Sequence, residues 1–483
     1  MQRTMPVFVD SKAPSGGDGT DRNPYKYLKD INYGQIQKWV AANAQVSINL
    51  ACGSVWREEL RPLVGGRSGN RIKIQPWGWG DLPLLKGSIS QSEEADWQQL
   101  GDTLWATREG SFPKSTEFSN SDTGFAMFGP EAPENAGVKV FHPMALTRDR
   151  RYIYDRDKER VLVFARGNPA SLYDGIEIAD SRYRSNILIQ DVEHIDIVGI
   201  ATKYSSVNGI SIENGALDLG ARHIGVEYCN LAYGGGFKGS KMRIGAGVHL
   251  GRDGKTSDIT IKHCAISQFW DAAIGGESYG RQGNELVDLV IEDNDLSRCH
   301  AGVNITAGSD GYDQLIEHVS VRRNKINQMG YGWSGYDNDG AFHGKGVSVN
   351  CRFPERGTVV RHVAIEHNEI NTFAARGVNL HGGECYSVAH NLITGGTGDW
   401  DKQFTGALVI HGGGWNESIM DVYGLIEQNH IIDNAMLGGR IVNNRPVRGK
   451  LILDRNELSG NELTSAGEPF EIRASDNYEL IAA

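Results

Sequence analysis

The chain has 483 residues, of which 39% are hydrophobic and 23% charged, a balance that supports a folded core and rules out a disordered chain. Sixty Asp and Glu against 49 Lys and Arg leave a formal charge of -11, which argues against a nonspecific nucleic-acid partner and against an anionic membrane surface. No run of 18 apolar residues occurs, so no membrane-spanning helix is expected.

The start, MQRTMPVFVD, lacks the apolar stretch of a signal peptide. Two origins stay open: a cytoplasmic or phage-borne protein, or an extracellular or periplasmic one whose export signal has been removed. Residues 1–89 form a first unit. Within it Tyr33 to Ala42 reads as an amphipathic helix with Ile36, Trp39 and Val40 on one face, followed by alternating segments such as RIKIQPWGWG (71–80). Residues 90–170 carry no such rhythm. The piece RYIYDRDKERVLVF (151–164) predicts two strands about a charged turn, part of a β-rich excursion packed on the main body over its cleft.

Residues 171–483 are organised by a repeated phrase: apolar residue, polar pair, Asn or Cys, apolar residue. It appears as VEYCNL, IKHCAI, IEDNDL, VRRNKI, IEHNEI, VAHNLI, IEQNHI and LDRNEL. The Asn or Cys falls at 229, 264, 294, 324, 368, 391, 429 and 456, with steps of 35, 30, 30, 44, 23, 38 and 27 residues. Steps this uneven exclude a helical solenoid of fixed repeat and suit coils with turns of varying length. Between these phrases lie alternating apolar segments, GISI (209–212), GVHL (247–250), GVNI (302–305), GVSV (346–349) and GVNL (377–380), which predict a second strand per coil. Gly at 61 of 483 residues, against a usual share of about 7%, fits many tight turns. An Asn at one phase of each coil can hydrogen-bond backbone groups and the Asn stacked on it. Cys229 and Cys264 read as small buried side chains at the same phase, and the six cysteines lack C-x-x-C pairing.

On these repeats and the opening VFVDSKAPSGGDGTDRNPYKYL (7–28), the chain resembles the right-handed parallel β-helix superfamily that includes pectate-lyase-like polysaccharide lyases, glycoside hydrolase families and phage tailspikes. The resemblance implies an all-β, single-stranded right-handed parallel β-helix with an N-terminal capping helix, and a polysaccharide or oligosaccharide as substrate. It matches no one family's catalytic motif, so no residue role is taken from it.

The longest step, 44 residues, contains GYGWSGYDNDGAFHGKG (330–346) and directs attention to a loop beside the second strand. Hydrolysis of a glycosidic bond needs two carboxyl groups about 5–9.5 Å apart. Asp339 and Glu384 are the first pair, Glu384 as acid, with Asp337 as substitute and Asp310 further out. A lyase instead needs a base and a cation facing a uronate carboxylate, a set that His343, Lys345, His381 and Arg376 can supply. Ca²⁺ held by Asp337 and Asp339 belongs to that second reading, and the hydrolase reading needs no cofactor. Trp333, Tyr336, Trp400 and Trp415 are candidate faces for sugar rings, and His411 should neighbour His381 on the next coil. A third reading is a non-catalytic carbohydrate-binding or tailspike-like protein with the same aromatic faces. Asp337 and Asp339 also have a plain structural reading as Asx turns.

Overall fold

The computed structural model describes residues 4–116, 121–182, 184–215, 219–238, 243–252, 254–278, 283–308, 313–337, 343–352, 356–399, 406–411, 420–427, 429–431, 447–454, 457–459, 470–475 and 478–480. Of Tyr336, Asp337 and His411 only the backbone belongs to this set.

The chain winds as a right-handed parallel β-helix with three long sheets along its axis, of thirteen, twelve and eight strands among the described residues. We call them sheets A, B and C. Each full coil runs through all three, as in Glu285–Glu292 (A), Asp295–Ser297 (B) and Ala301–Ala307 (C). The expectation of two strands per coil therefore becomes three. The repeated phrase spans a corner: in IEDNDL, Glu292 ends a sheet A strand and Asp295 begins one in sheet B. Only two residues separate them, so two strands read as one segment.

That corner carries the ladder. Asn294 Nδ2 donates to Asn324 Oδ1 at 3.0 Å, Asn324 to Asn368 at 3.0 Å, Asn368 to Asn391 at 3.0 Å and Asn391 to Asn429 at 2.9 Å. Each Oδ1 also accepts the backbone N–H of the preceding rung, as Asn324 does from Asn294 N at 3.1 Å. Asn294, Asn324, Asn368, Asn391 and Asn429 are all buried, so the ladder supplies the partners that corner backbone would otherwise lack. Cys229 and Cys264 extend it as buried thiols; Asn456 lies outside the described residues. Asp293, Arg323, His367 and His390, the residues before Asn294, Asn324, Asn368 and Asn391, have φ of 54–56°, the left-handed turn that closes the corner in two residues.

Inside, like stacks on like. Ile187, Ile210, Val248, Ile274, Val303, Val347, Val378 and Leu408 pair in register down sheet C and are fully buried. Burial of each such side chain is worth about 1.5–3 kcal/mol relative to exposure. The helix Tyr33–Ala41 lies beside the first coils with Ile36 and Val40 buried and Trp39 packed against the core, and Asn32 caps it by accepting from Gln35 N at 3.0 Å.

The excursion leaves the helix after Leu84–Lys86 in sheet B and returns at Ile187–Gln190 in sheet C. It holds a five-stranded sheet, with the hairpin Arg151–Asp155 and Arg160–Phe164, and a three-stranded sheet of Ser88–Ser90, Ile176–Ala179 and Ala126–Phe128. It docks on the B-to-C corner of later coils through Phe125 and Met127, which pack with Tyr204, Tyr233, Trp270 and Trp333. Backbone meets backbone there: a Cβ on Gly124 would sit 2.1 Å from the carbonyl carbon of Gly236.

Candidate active site

Connections decide where a groove can form. From the strand Glu193–Val198 onward the A-to-B corners are two residues long and cannot build walls. Sheet C is bordered on one edge by the excursion and by the connection from Met329 to Lys345, and on the other by connections such as Ala307 to Leu315. Its outer face between these two edges is the floor on which the residues below stand.

Register places the floor residues in columns. Ala272, Ala301, Lys345, Arg376 and Gly406 share the first. Ser211, His249, Gly275, Asn304, Ser348, Asn379 and Val409 share the second. Glu277, Thr306, Asn350, His381 and His411 share the third. Along the rim of the first column the backbone steps from coil to coil: His300 N donates to Asp271 O at 2.8 Å and Lys345 N to His300 O at 3.0 Å.

This stacking gathers a dense polar cluster. Asp271 Oδ1 lies 3.2 Å from His300 Nδ1, with only 29% and 17% of the two side chains exposed. The rings of His300 and His343 are 4.4 Å apart, centroid to centroid. His249 Nε2 lies 3.3 Å from Glu277 Oε2. Arg376 Nη1 donates to Asn379 Oδ1 at 3.1 Å, and Asn379 Nδ2 donates to Ser348 Oγ at 3.0 Å. Asn350 Nδ2 donates to Thr306 Oγ1 at 3.1 Å.

The electrostatics follow from crowding cations in a partly dry site. Burial, then repulsion from Arg376, pulls the Lys345 ammonium down to about 8, against some attraction from Asp271. Burial, with His300, Lys345 and Arg376, holds His343 down to about 2. Burial lowers His300 as well, although Asp271 opposes it. Burial pushes Asp271 up, but the hydrogen bond and charge of His300 and the Lys345 ammonium outweigh it and leave the carboxyl below its ordinary range. His249 also acts on Asp271, so the His249–Glu277 pair belongs to the same cluster.

Of the expected site residues, the fold brings together His343, Lys345 and Arg376 and puts His381 in the third column beside His411. It separates Glu384, which is exposed at the start of a sheet A strand in register with Arg361. The connection carrying Asp337 enters sheet C at Lys345, in register with Arg376, whereas Glu384 follows the opposite end of the strand Arg376–His381. Five strand steps of 3.3 Å, about 17 Å, lie between. Asp339, Asp310, Trp400 and Trp415 lie outside the described residues, as do the side chains of Asp337, Tyr336 and His411. Trp333 is a correction: it is fully buried, packed edge-on to Phe125, with Nε1 donating to Gln268 O at 2.9 Å, so its ring docks the excursion and offers no face to a sugar.

Asp271, His300 and Glu277 were not singled out from sequence. The signal was present: each of Asp271, His300, Lys345 and Arg376 stands two or three residues before the apolar pivot of its sheet C strand, Ile274, Val303, Val347 and Val378.

No family model matches the sequence, and no curated protein sequence does. Solved structures do match in fold. A xylose complex of XylC superposes with a TM-score of 0.57 at 13% identity, covering 98% of this chain and 86% of the other. A structure described as a glycoside hydrolase gives 0.50 at 11% identity, covering 93% and 96%. At such identities the likeness is one of architecture alone: the chain has a right-handed parallel β-helix fold.

Proposed function

We propose that the protein is a polysaccharide-active enzyme that abstracts the proton beside a uronate carboxylate and eliminates the glycosidic oxygen. The observation carrying this reading is the pairing of Lys345 with Arg376 in one register column beside Asp271 and His300. A base works best when its pKa lies near the working pH, and Lys345, at about 8, fits that role better than His343, at about 2. Neutral Lys345 takes the C5 proton, the freed electron pair forms the C4–C5 double bond, and the C4–O bond breaks. Lys345, now protonated, returns the proton to the leaving oxygen. Arg376, oriented by Asn379, faces the carboxylate as its charge spreads in the transition state.

Paired-carboxylate hydrolysis fits the described floor less well. The two carboxylates at the ends of the strand Ala272–Ser278 are each engaged by an imidazole, Asp271 by His300 at 3.2 Å and Glu277 by His249 at 3.3 Å, rather than facing one bond as a free pair. Nor does the cluster suit Ca²⁺, which takes six to eight oxygens, because the groups acting on Asp271 are the imidazoles of His300 and His249 and the Lys345 ammonium. No step is assigned to a metal.

Digestion of a panel of uronate-containing and neutral polysaccharides, followed by mass spectrometry, tests the reading. The expected product is an ultraviolet-absorbing oligosaccharide lighter by one water than a hydrolytic product. Saturated products with new reducing ends would establish hydrolysis and overturn the proposal. An unchanged panel that nevertheless binds would favour the carbohydrate-binding reading.

A further inference from the structure

Sheet A forms a different wall from sheet C, and it carries its own column of unusual residues. His194, His223, Asp258, Asp288, His318 and His362 each have φ between 54° and 58°, breaking the strands of six successive coils at one point. Neighbouring strands pair on either side of this point, for instance Glu193 with Arg222 and Ile195 with Ile224, so the column residues stack coil upon coil. The result is a set of titratable side chains held in line by the backbone.

Near one end of this column, the donor atoms of Glu193, His194 and His223 lie within 4.8 Å of one another. The His194 and His223 rings are stacked, 4.3 Å apart and 5° from parallel. His223 Nδ1 is hydrogen-bonded to Asp258 Oδ2 from the next coil. A carboxylate on one imidazole nitrogen fixes ring orientation and raises the basicity of the other, the arrangement that commonly supports a histidine metal ligand.

We propose that Glu193, His194 and His223 bind a divalent transition metal of the zinc class on the outer face of sheet A, with Asp258 positioning His223. Two imidazoles and a carboxylate are a donor set that zinc accepts, at about 2.0–2.2 Å from each ligand atom, with solvent in the fourth place. Ligand atoms on one tetrahedral ion are then roughly 3.4 Å apart, so the three side chains close by about an ångström. Glu193 and His223 are 46% and 39% exposed and have room to do so. The ion would tie two consecutive coils directly and a third through Asp258.

A second group further along the same column provides an internal contrast. Glu317, His318 and His362 also have donor atoms within 4.8 Å. There, Arg361 Nε donates to Glu317 Oε1 at 2.7 Å, whereas in the first group Arg222 Nη2 stands 3.8 Å from Glu193 Oε2, so the guanidinium that opposes a cation is held more tightly on the second carboxylate. The first group is therefore the better cation site of the two.

Isothermal titration of the untagged full chain with ZnCl₂, alongside Co²⁺ absorption as a coordination signature, decides the matter. One ion per chain is expected, with tetrahedral Co²⁺ bands. His194→Ala and His223→Ala should each weaken binding at least 10-fold, His362→Ala should leave it unchanged, and Asp258→Asn should weaken it by 10- to 100-fold. Absence of binding, or binding that survives both His194→Ala and His223→Ala, would overturn the site. If either alanine variant misfolds by circular dichroism, Asp258→Asn decides alone: unchanged affinity refutes the positioning and with it the site.

Discussion

Lys345 and Arg376 stand in register on adjacent strands of sheet C, two cations one coil apart beside the Asp271–His300 pair. Like charges in such positions are destabilising unless something else uses them, and an anionic sugar would. Replacing Lys345 by Ala should lower kcat by about 10²–10⁴, the usual contribution of a general base. Arg376→Gln should lower kcat/KM on uronate polymers through the lost neutralisation of the carboxylate. In wild type, turnover should rise as pH climbs through about 8, because only neutral Lys345 accepts the proton. Glu384→Gln, on the exposed edge of sheet A, should leave product formation unchanged. Initial rates across pH for the four proteins check the set; a Glu384→Gln variant without activity would move the site to the other edge of sheet C.

The same lysine predicts a stability effect of opposite sign to its catalytic one. Its folded pKa, about 8, lies below the ordinary 10.5 of the unfolded chain. The unfolded state therefore binds more protons between those values, and stability rises with pH across that window. Below pH 8 the folded protein carries the full cost of a charged, partly buried ammonium, up to about 3 kcal/mol. Lys345→Met should accordingly raise the urea midpoint at pH 7 while abolishing activity, and the gain should shrink as pH approaches 10. A midpoint lowered at pH 7 would show that the lysine stabilises the fold.

The winding was legible in the chain because it is written in local chemistry. Asn294, Asn324, Asn368, Asn391 and Asn429 recur at one phase since only a short amide side chain can serve both its own corner and the next. The third sheet was not separable by eye, because a left-handed residue such as Asp293 followed by Asn294 turns the corner without glycine or proline. The site was half legible. His343, Lys345 and Arg376 fall in one cluster of the candidate site, but the pairing of Asp339 with Glu384 assumed that residues on successive coils share one edge. Glu384 lies past the far end of its strand, and strand ends are set by turn lengths that periodicity does not report. The chain's overall acidity also concealed a locally cationic floor, since net charge averages over every wall.

Asn324 sits mid-ladder, donating to Asn368 Oδ1 and Ile291 O and accepting from Asn294. Asn324→Ala should strand buried groups on both neighbouring coils and cost about 1–3 kcal/mol for each one left unpaired. Asn324→Cys should cost less than Asn324→Ala, as Cys229 and Cys264 already occupy the same corner. Urea unfolding followed by circular dichroism ranks the variants, and equal midpoints for Ala and wild type would deny the ladder a structural role.

Trp333 fills the joint between the excursion and the coils, touching Phe125 and Trp270. Truncation to Ala should cost about 3–5 kcal/mol at that joint. Because the excursion has its own core around Phe112, Phe128, Tyr152 and Val163, the loss should appear as local undocking while the coils stay folded. Limited proteolysis should then cut near the excursion's junctions in Trp333→Ala and spare the wild type; identical digestion patterns would place the docking energy elsewhere.

Glu177 anchors the opposite end of the excursion to the first coils. It accepts from Arg57 Nη1 at 2.8 Å, Lys86 Nζ at 2.8 Å and Ser88 Oγ at 2.6 Å, with 14% of its side chain exposed. Burial alone would raise its carboxyl, but these donors and the Arg57 charge bring it down to about 2. A folded pKa below the ordinary 4.5 means the stabilisation is complete above pH 4.5 and disappears as pH falls toward 2. The magnitude is on the order of 3 kcal/mol at neutral pH, and Arg57, 38% exposed, supplies the more solvent-screened share. Glu177→Gln should therefore be clearly less stable than wild type at pH 7 and converge with it near pH 2. Thermal unfolding of both proteins from pH 7 down to pH 3 tests this: a constant gap across the range would mean that the carboxylate's charge contributes nothing and that shape alone holds the junction.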